Sequence, residues 1–226
     1  MKTFLSIGSG PGIGHATAER FAREGFRVLL TSRNAQGLLG RAEALRAKGH
    51  TVEVETLDAG NLGEVTQLVR SVEARFGAID VLHFNAASLH AATIETQAPD
   101  SFVPDLTVNI GAALVATQEA SRLMLARGAG SILLTHGAFA LKPNPDYLSL
   151  SIGKAGLRAM TMALFDPFKQ RGVHIAAVMV DAMVAPGSED ALAIADKFWQ
   201  LHSEEPGAWT PEVTYRAAPK QPETST

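Results

Sequence analysis

Four glycines stand at alternate positions in Gly8-Ser9-Gly10-Pro11-Gly12-Ile13-Gly14, where the compact apolar run of residues 3–8 gives way to helical spacing. Glycines let the chain turn tightly and let an anion reach backbone N–H groups, and the helix that follows turns its positive end toward the same place. A pyrophosphate is the ligand such a loop suits. The pattern gains force from its context, a strand before and a helix after within one strand–helix–strand unit. A glycine-rich turn without a ligand is the plainer alternative.

The same alternation continues along the chain. Residues 27–32 (RVLLTS), 51–57, 79–84, 131–136 and 173–180 have strand length, and most are too continuously apolar for a strand with one wet face. Between them Leu62, Val65, Leu68, Val69, Val72 and Phe76 recur at helical spacing, with Gly77 as a stop. Leu38, Leu39, Ala42 and Leu45 form a second stripe ended by Gly49, and residues 12–24, 100–127 and 147–171 supply three more helices. Pro167 removes a backbone donor inside the last of these and is expected to bend it. Strand and helix in alternation predict an α/β fold, a doubly wound parallel sheet of Rossmann type with right-handed crossovers. One dinucleotide-binding domain covers residues 1–226, with its core over 3–180 and a variable lid and C-terminal tail over 186–226. Within the latter, 191–201 reads as a further helix, 209–216 as a last strand or a subunit contact, and the end from Lys220 as a frayed tail. Trp199 and Trp209 fit either an interface or plain packing.

Composition narrows the function classes. Apolar residues make up 46% of the 226, enough for one sizeable core. Lys plus Arg number 20 against 23 Asp plus Glu, so no basic excess exists to neutralise a nucleic acid. With no cysteine, disulfide scaffolds, thiolate catalysis and Cys-rich zinc sites are excluded. His15, His50, His83, His90, His174 and His202 show no paired ligand spacing, which argues against a metal, and no G-x-S-x-G elbow is present for a hydrolase. The longest apolar stretch, 175–180, ends at Asp181, far short of the roughly 20 residues of a membrane span. The first residues read as a strand rather than a signal peptide, so a cytoplasmic protein is expected.

Gly8, Gly12 and Gly14 also spell G-x-x-x-G-x-G, and with Ala16-Thr17-Ala18-Glu19-Arg20-Phe21 after them the chain resembles the short-chain dehydrogenase/reductase family. Further matches follow in order over residues 3–180: Asp58 after the third strand, Asn85-Ala86-Ala87 for the N-A-G turn, Val108-Asn109-Ile110-Gly111 for the segment of the helix asparagine, and Ser151-Ile152-Gly153-Lys154-Ala155-Gly156 for that of the lysine. The resemblance implies that Gly8, Ser9, Gly10, Gly12, Ile13 and Gly14 hold a dinucleotide, with Asp58 and Ala59 at its adenine, and Asn85, Ala86, Ala87 and Lys154 further along. Asp58 could equally cap the helix starting near Asn61. At the end of the second strand, Ser32-Arg33-Asn34 lacks the acid that would bind a ribose 2′-OH, and a guanidinium suits a 2′-phosphate. NADP(H) is therefore expected over NAD(H), although Arg33 could also be an ordinary solvated cation.

In that family a tyrosine gives a proton to the carbonyl oxygen as hydride arrives, a lysine four residues later tunes it, a serine polarises the carbonyl, and an asparagine supports a water relay. Here Asn109 and Lys154 remain, Leu150 stands at the tyrosine position, and Gly137 at that of the serine. Tyr147, seven residues before Lys154, and His136, beside the serine position, are the candidates to replace them as acid. Ser149 and Ser151 flank the tyrosine position at the wrong helical angle. Lys154 could serve only the nicotinamide ribose, Asn109 could hold a helix kink, and His136 could be structural. The Pro-Gly expected after the sixth strand is replaced by Val180-Asp181, with Pro186-Gly187 further on. Two readings stand: an NADP(H)-dependent oxidoreductase acting on a small carbonyl or alcohol, as homodimer or homotetramer, or a catalytically silent cofactor-binding sensor or oligomer partner. A non-redox lyase or isomerase has no residue in its favour.

Overall fold

Strand β1 (Thr3–Ile7) is buried at all five positions, as a strand with neighbours on both edges and helices on both faces must be. In the computed structural model, which describes residues 1–217, it pairs in parallel with β2 (Arg27–Ser32) on one side and β4 (Val81–Phe84) on the other. β3 (Val52–Thr56) lies beyond β2, while β5 (Gly130–Gly137), β6 (Val173–Asp181) and β7 (Glu212–Arg216) continue beyond β4. Seven parallel strands thus run in the order 3-2-1-4-5-6-7. The chain winds outward in both directions from β1, which opens a crevice at the carboxyl ends of β1 and β4.

Successive residues of β1 serve opposite faces. Phe4 packs with Phe21 of α1 (Ile13–Arg23), Leu45 of α2 (Ala35–Ala47) and Phe198 of α7 (Glu189–Ser203). Leu5 and Ile7 pack with Val69 of α3 (Leu62–Phe76), Ala116 of α5 (Ala112–Arg127) and Leu157 of α6 (Leu148–Lys169). On the Phe4 face His83 is fully buried, its ring 4.7 Å from that of Phe198 and its ring nitrogens 3.4 Å from the hydroxyls of Ser6 and Thr135, and burial lowers it to about 3, so it is neutral in the fold.

The expected single helix over 100–127 is broken. α4 (Phe102–Leu106) passes into a π turn, Thr107–Gly111, before α5 begins. The extra residue of a π turn re-aims side chains, and here it turns Asn109 inward. α6 continues past Pro167, which falls in its last turn. The expected helix near 191–201 and strand within 209–216 are α7 and β7. Both tryptophans have partners within the chain: Trp199 meets Phe21 edge-on at 5.2 Å and carries the Arg20 guanidinium, and Trp209 stacks on His174 at 4.8 Å. The tail from Lys220 lies outside the described residues, among which no helix is long and apolar enough to cross a membrane.

Candidate active site

The crevice holds two adjoining spaces. A cleft of about 280 Å³ lies over the ends of the first four strands and is lined by Gly8, Gly10, Arg33, Asp58, Ala59 and Ala86 among others. A cavity of about 590 Å³ continues from it toward β5, β6 and α6, past Gly137, Leu150, Lys154 and Met183. Asn85, Ala87 and Leu89 line both.

The glycines of the first loop divide into two kinds. Gly8 has φ +91°, and a Cβ there would lie 2.4 Å from the Ala86 nitrogen; one on Gly14 would lie 2.4 Å from the Gly8 carbonyl oxygen. The fold itself requires both. A Cβ on Gly10 would meet nothing within 4 Å, and one on Gly12 only the Val184 carbonyl at 3.9 Å. Packing does not explain these two, and Gly10 borders the cleft. α1 begins at Gly12 with no side-chain cap and no acid in its first turn, leaving its positive end open to an anion. A dinucleotide phosphate therefore fits the loop. Ser9 is spent on the fold: its buried Oγ donates to the Ser6 carbonyl and accepts from the Thr31 N–H, each at 3.1 Å, and its own N–H donates to the Thr31 carbonyl at 2.7 Å. Ile13 lies further along, lining the larger cavity.

At the end of β2 the Ser32 hydroxyl donates to the Asn34 carbonyl, and the Asn34 side chain caps α2 by accepting the Gly37 N–H at 2.9 Å. Arg33 is exposed on the cleft wall and has no ion-pair partner among the described residues. Asp58 accepts the Gly60 N–H at 2.9 Å and does not cap α3; Asn61 does, from Gly63 and Glu64. Asn85 donates to the Gly8 carbonyl at 2.9 Å, tying the turn after β4 to the glycine loop.

In the larger cavity Leu150, Gly137 and Lys154 come together. Lys154 is 8% exposed, its ammonium donates to the Thr135 carbonyl at 2.8 Å, and burial lowers it to about 8. Leu150 is buried one helical turn earlier on α6, and the missing side chain of Gly137 would start 3.8 Å from the Lys154 Cε. Neither proposed substitute acid is offered to the cavity. His136 borders it, yet its ring has no exposure and both ring nitrogens are taken up by the fold, which corrects the expected acid to a structural residue: Nδ1 lies 3.0 Å from Glu212, and Nε2 lies 3.0 Å from the Thr161 hydroxyl. Burial lowers its pKa further than Glu212 raises it. Tyr147 precedes α6, stacks on Phe139 at 5.8 Å and does not line the cavity, because the residues before it turn away as a loop rather than extending the helix. Ser149 and Ser151 point to Asp105 and Asn144, as their helical angles predict. The Asn109 amide is committed to Ser88, accepting its N–H at 2.7 Å and donating to its carbonyl at 3.2 Å. At the far rim, Asp181 sits 3.6 Å from Arg216.

Sequence reasoning missed Asp105, a buried carboxylate on α4 that gathers hydrogen bonds from Ser88, His90, Gln97 and Ser149. No motif contains it, and its partners stand up to 44 residues away. Among the described residues no cluster of His, Asp and Glu could hold a metal ion.

A family model described as short chain dehydrogenase matches residues 2–191. Glucose 1-dehydrogenase of Gluconobacter oxydans is 30% identical over 187 residues, covering 82% of this chain and 70% of that protein. Among solved structures, a short-chain dehydrogenase from Rhodopseudomonas palustris superposes with TM-score 0.88 at 28% identity, over 96% of this chain and 99% of that one. A gluconate 5-dehydrogenase from Burkholderia cenocepacia, in complex with NADP and tartrate, gives 0.73 at 25% identity, over 80% and 71%.

Proposed function

The chain belongs to the short chain dehydrogenase family, and we propose that it is an NADP(H)-binding oxidoreductase whose reaction centre keeps the lysine and lacks the usual serine and tyrosine. The observation that carries the cofactor half is the open space over Gly10 and Gly12, beside an uncapped helix start. The gluconate 5-dehydrogenase that it resembles holds NADP. The loop Gly8 to Gly14 would cradle the pyrophosphate at the start of α1, on the N–H groups that follow Pro11, since those of Ser9 and Gly10 are bonded within the fold; Arg33 would take the 2′-phosphate, Asp58 and Ala59 the adenine side, and Lys154 the nicotinamide ribose. NADP(H), when bound, would supply or accept hydride. The chain's own part is to hold a small carbonyl or alcohol in the larger cavity, among Leu89, Phe139, Leu150, Val180 and Met183.

Arg33→Ala is expected to weaken NADPH by about 10- to 100-fold, the loss of one or two charge-assisted hydrogen bonds, and NADH hardly at all. Fluorescence titration with the two nucleotides measures it, and equal losses for both would remove Arg33 from the 2′-phosphate.

Lys154 makes affinity depend on pH. Its ammonium is lowered to about 8 by burial in the free protein, and a ribose hydroxyl accepting from it favours the charged form. Binding that favours the protonated lysine weakens once the pH passes that value, by up to about tenfold per unit. NADPH dissociation constants measured from about pH 7 to about pH 9.5 should rise accordingly, and Lys154→Met should flatten the rise. A slope that survives this substitution assigns the proton to another group.

One observation favours a catalytically silent protein instead: Leu150 and Gly137 put no hydroxyl beside Lys154. NADPH binding without turnover of any carbonyl or alcohol in a substrate screen is the result that reading expects.

A further inference from the structure

Leu89 is 73% exposed, yet it stands on one of the most heavily tethered loops of the molecule. The residue before it, Ser88, is held three ways: Asn109 takes its N–H and its carbonyl, and Asp105 takes its hydroxyl at 2.6 Å. The residue after it, His90, has Nδ1 3.0 Å from the second oxygen of the same Asp105. That oxygen also accepts from Gln97 at 3.1 Å, further along the loop, and from Ser149 of α6 at 2.9 Å. Burial alone would raise the Asp105 carboxyl, and the donors around it hold it below its ordinary range, so it remains an acceptor. One buried carboxylate therefore ties both neighbours of Leu89 to α4 and α6.

A lone exposed leucine is unremarkable on a protein surface. This one differs in that it lines both the cleft and the cavity, at the place where they join. Backbone held on both sides of Leu89 has little freedom left to lose when a ligand passes beneath it, which favours binding. We infer that Asp105 is a positioning residue for Leu89, and that Leu89 closes over the nucleotide where the two spaces meet. This rests on the nucleotide reading above. Of the tethers only Asn109 belongs to a family motif; Asp105 and its donors Ser88, His90, Gln97 and Ser149 lie outside those motifs, so this half of the device belongs to this chain's own loop.

The test is a double-mutant cycle on NADPH binding, read by nucleotide fluorescence with the full chain, alongside thermal melts. Leu89→Ala is expected to weaken NADPH about tenfold, the effect of losing one apolar contact, without lowering the melting temperature. Asp105→Asn should weaken it similarly, and the double variant no more than Asp105→Asn alone, because one residue acts through the other. Should Asp105→Asn unfold, His90→Ala with Gln97→Ala removes two of the tethers from the exposed side and takes its place in the cycle. Wild-type affinity in Leu89→Ala would overturn the inference, as would effects that multiply in the double variant. If the unsubstituted protein binds no NADPH, the nucleotide reading fails and the inference falls with it. That outcome is separable because it appears before any substitution is made.

Discussion

Gly10→Ala is expected to fold with an unchanged melting temperature and to lose NADPH by 100-fold or more, about 3 kcal/mol, whereas Gly8→Ala loses the fold's stability first. The two glycines sit two residues apart in one loop, and what surrounds their missing side chains is opposite. At Gly8 the added carbon meets the Ala86 nitrogen at 2.4 Å, the Ala86 Cα at 2.7 Å and the Asn85 carbonyl carbon at 2.9 Å, all backbone, in a left-handed conformation. Such overpacking with a disfavoured φ costs about 3–5 kcal/mol, a large part of what a domain of this size has. At Gly10 the added methyl group has no protein atom within 4 Å and points into the cleft, so only a ligand approaching the backbone there would notice it. Circular-dichroism melts and NADPH titrations on both variants separate the two roles. Full NADPH affinity in Gly10→Ala would mean that the loop turns without cradling a phosphate.

That contrast also marks what a sequence of this kind discloses. The strands, most of the helices and the glycine loop follow from short-range pattern: apolar runs of strand length, helical spacing, and glycines at the turns. Leu150, Gly137 and Lys154 could be placed at one centre because a resemblance fixed their register, and they do line one cavity. What the pattern could not carry is side-chain pairing across the fold. His136 looked like an available acid until β7, 76 residues on, brought Glu212 to its Nδ1. Asp105 was invisible for the same reason, since its donors come from a loop and from a different helix. The π turn at Asn109 was legible only as one alternative, a helix kink at that residue, because the apolar spacing of 100–127 reads almost the same whether one residue bulges or not.

The other large effect is a gain. Leu150→Tyr combined with Gly137→Ser is expected to raise NADPH-dependent reduction of small ketones and aldehydes by about 10²- to 10⁴-fold, the usual worth of a positioned acid. The site has the room and the geometry for both changes. Gly137 has φ −138° and ψ 154°, extended backbone that serine adopts freely, and a Cβ there makes only ordinary contacts of 3.8 Å with the Lys154 chain. Leu150 already faces the cavity, whose volume of about 590 Å³ can take the longer phenol. One turn along α6, the Lys154 ammonium would favour the phenolate and so bring the tyrosine toward neutral pH. Each single change should yield less than the pair, because a polarised carbonyl without an acid, or an acid without a held carbonyl, supplies only part of the stabilisation. Absorbance at the NADPH band, followed with a panel of carbonyl substrates, reads the gain, and Lys154→Met in the doubly substituted protein should remove most of it. A folded, NADPH-binding double variant that stays inert would show that the cavity does not present a carbonyl to this centre at all. The losses at positions 137 and 150 would then reflect a pocket committed to another task, and the silent reading would take precedence.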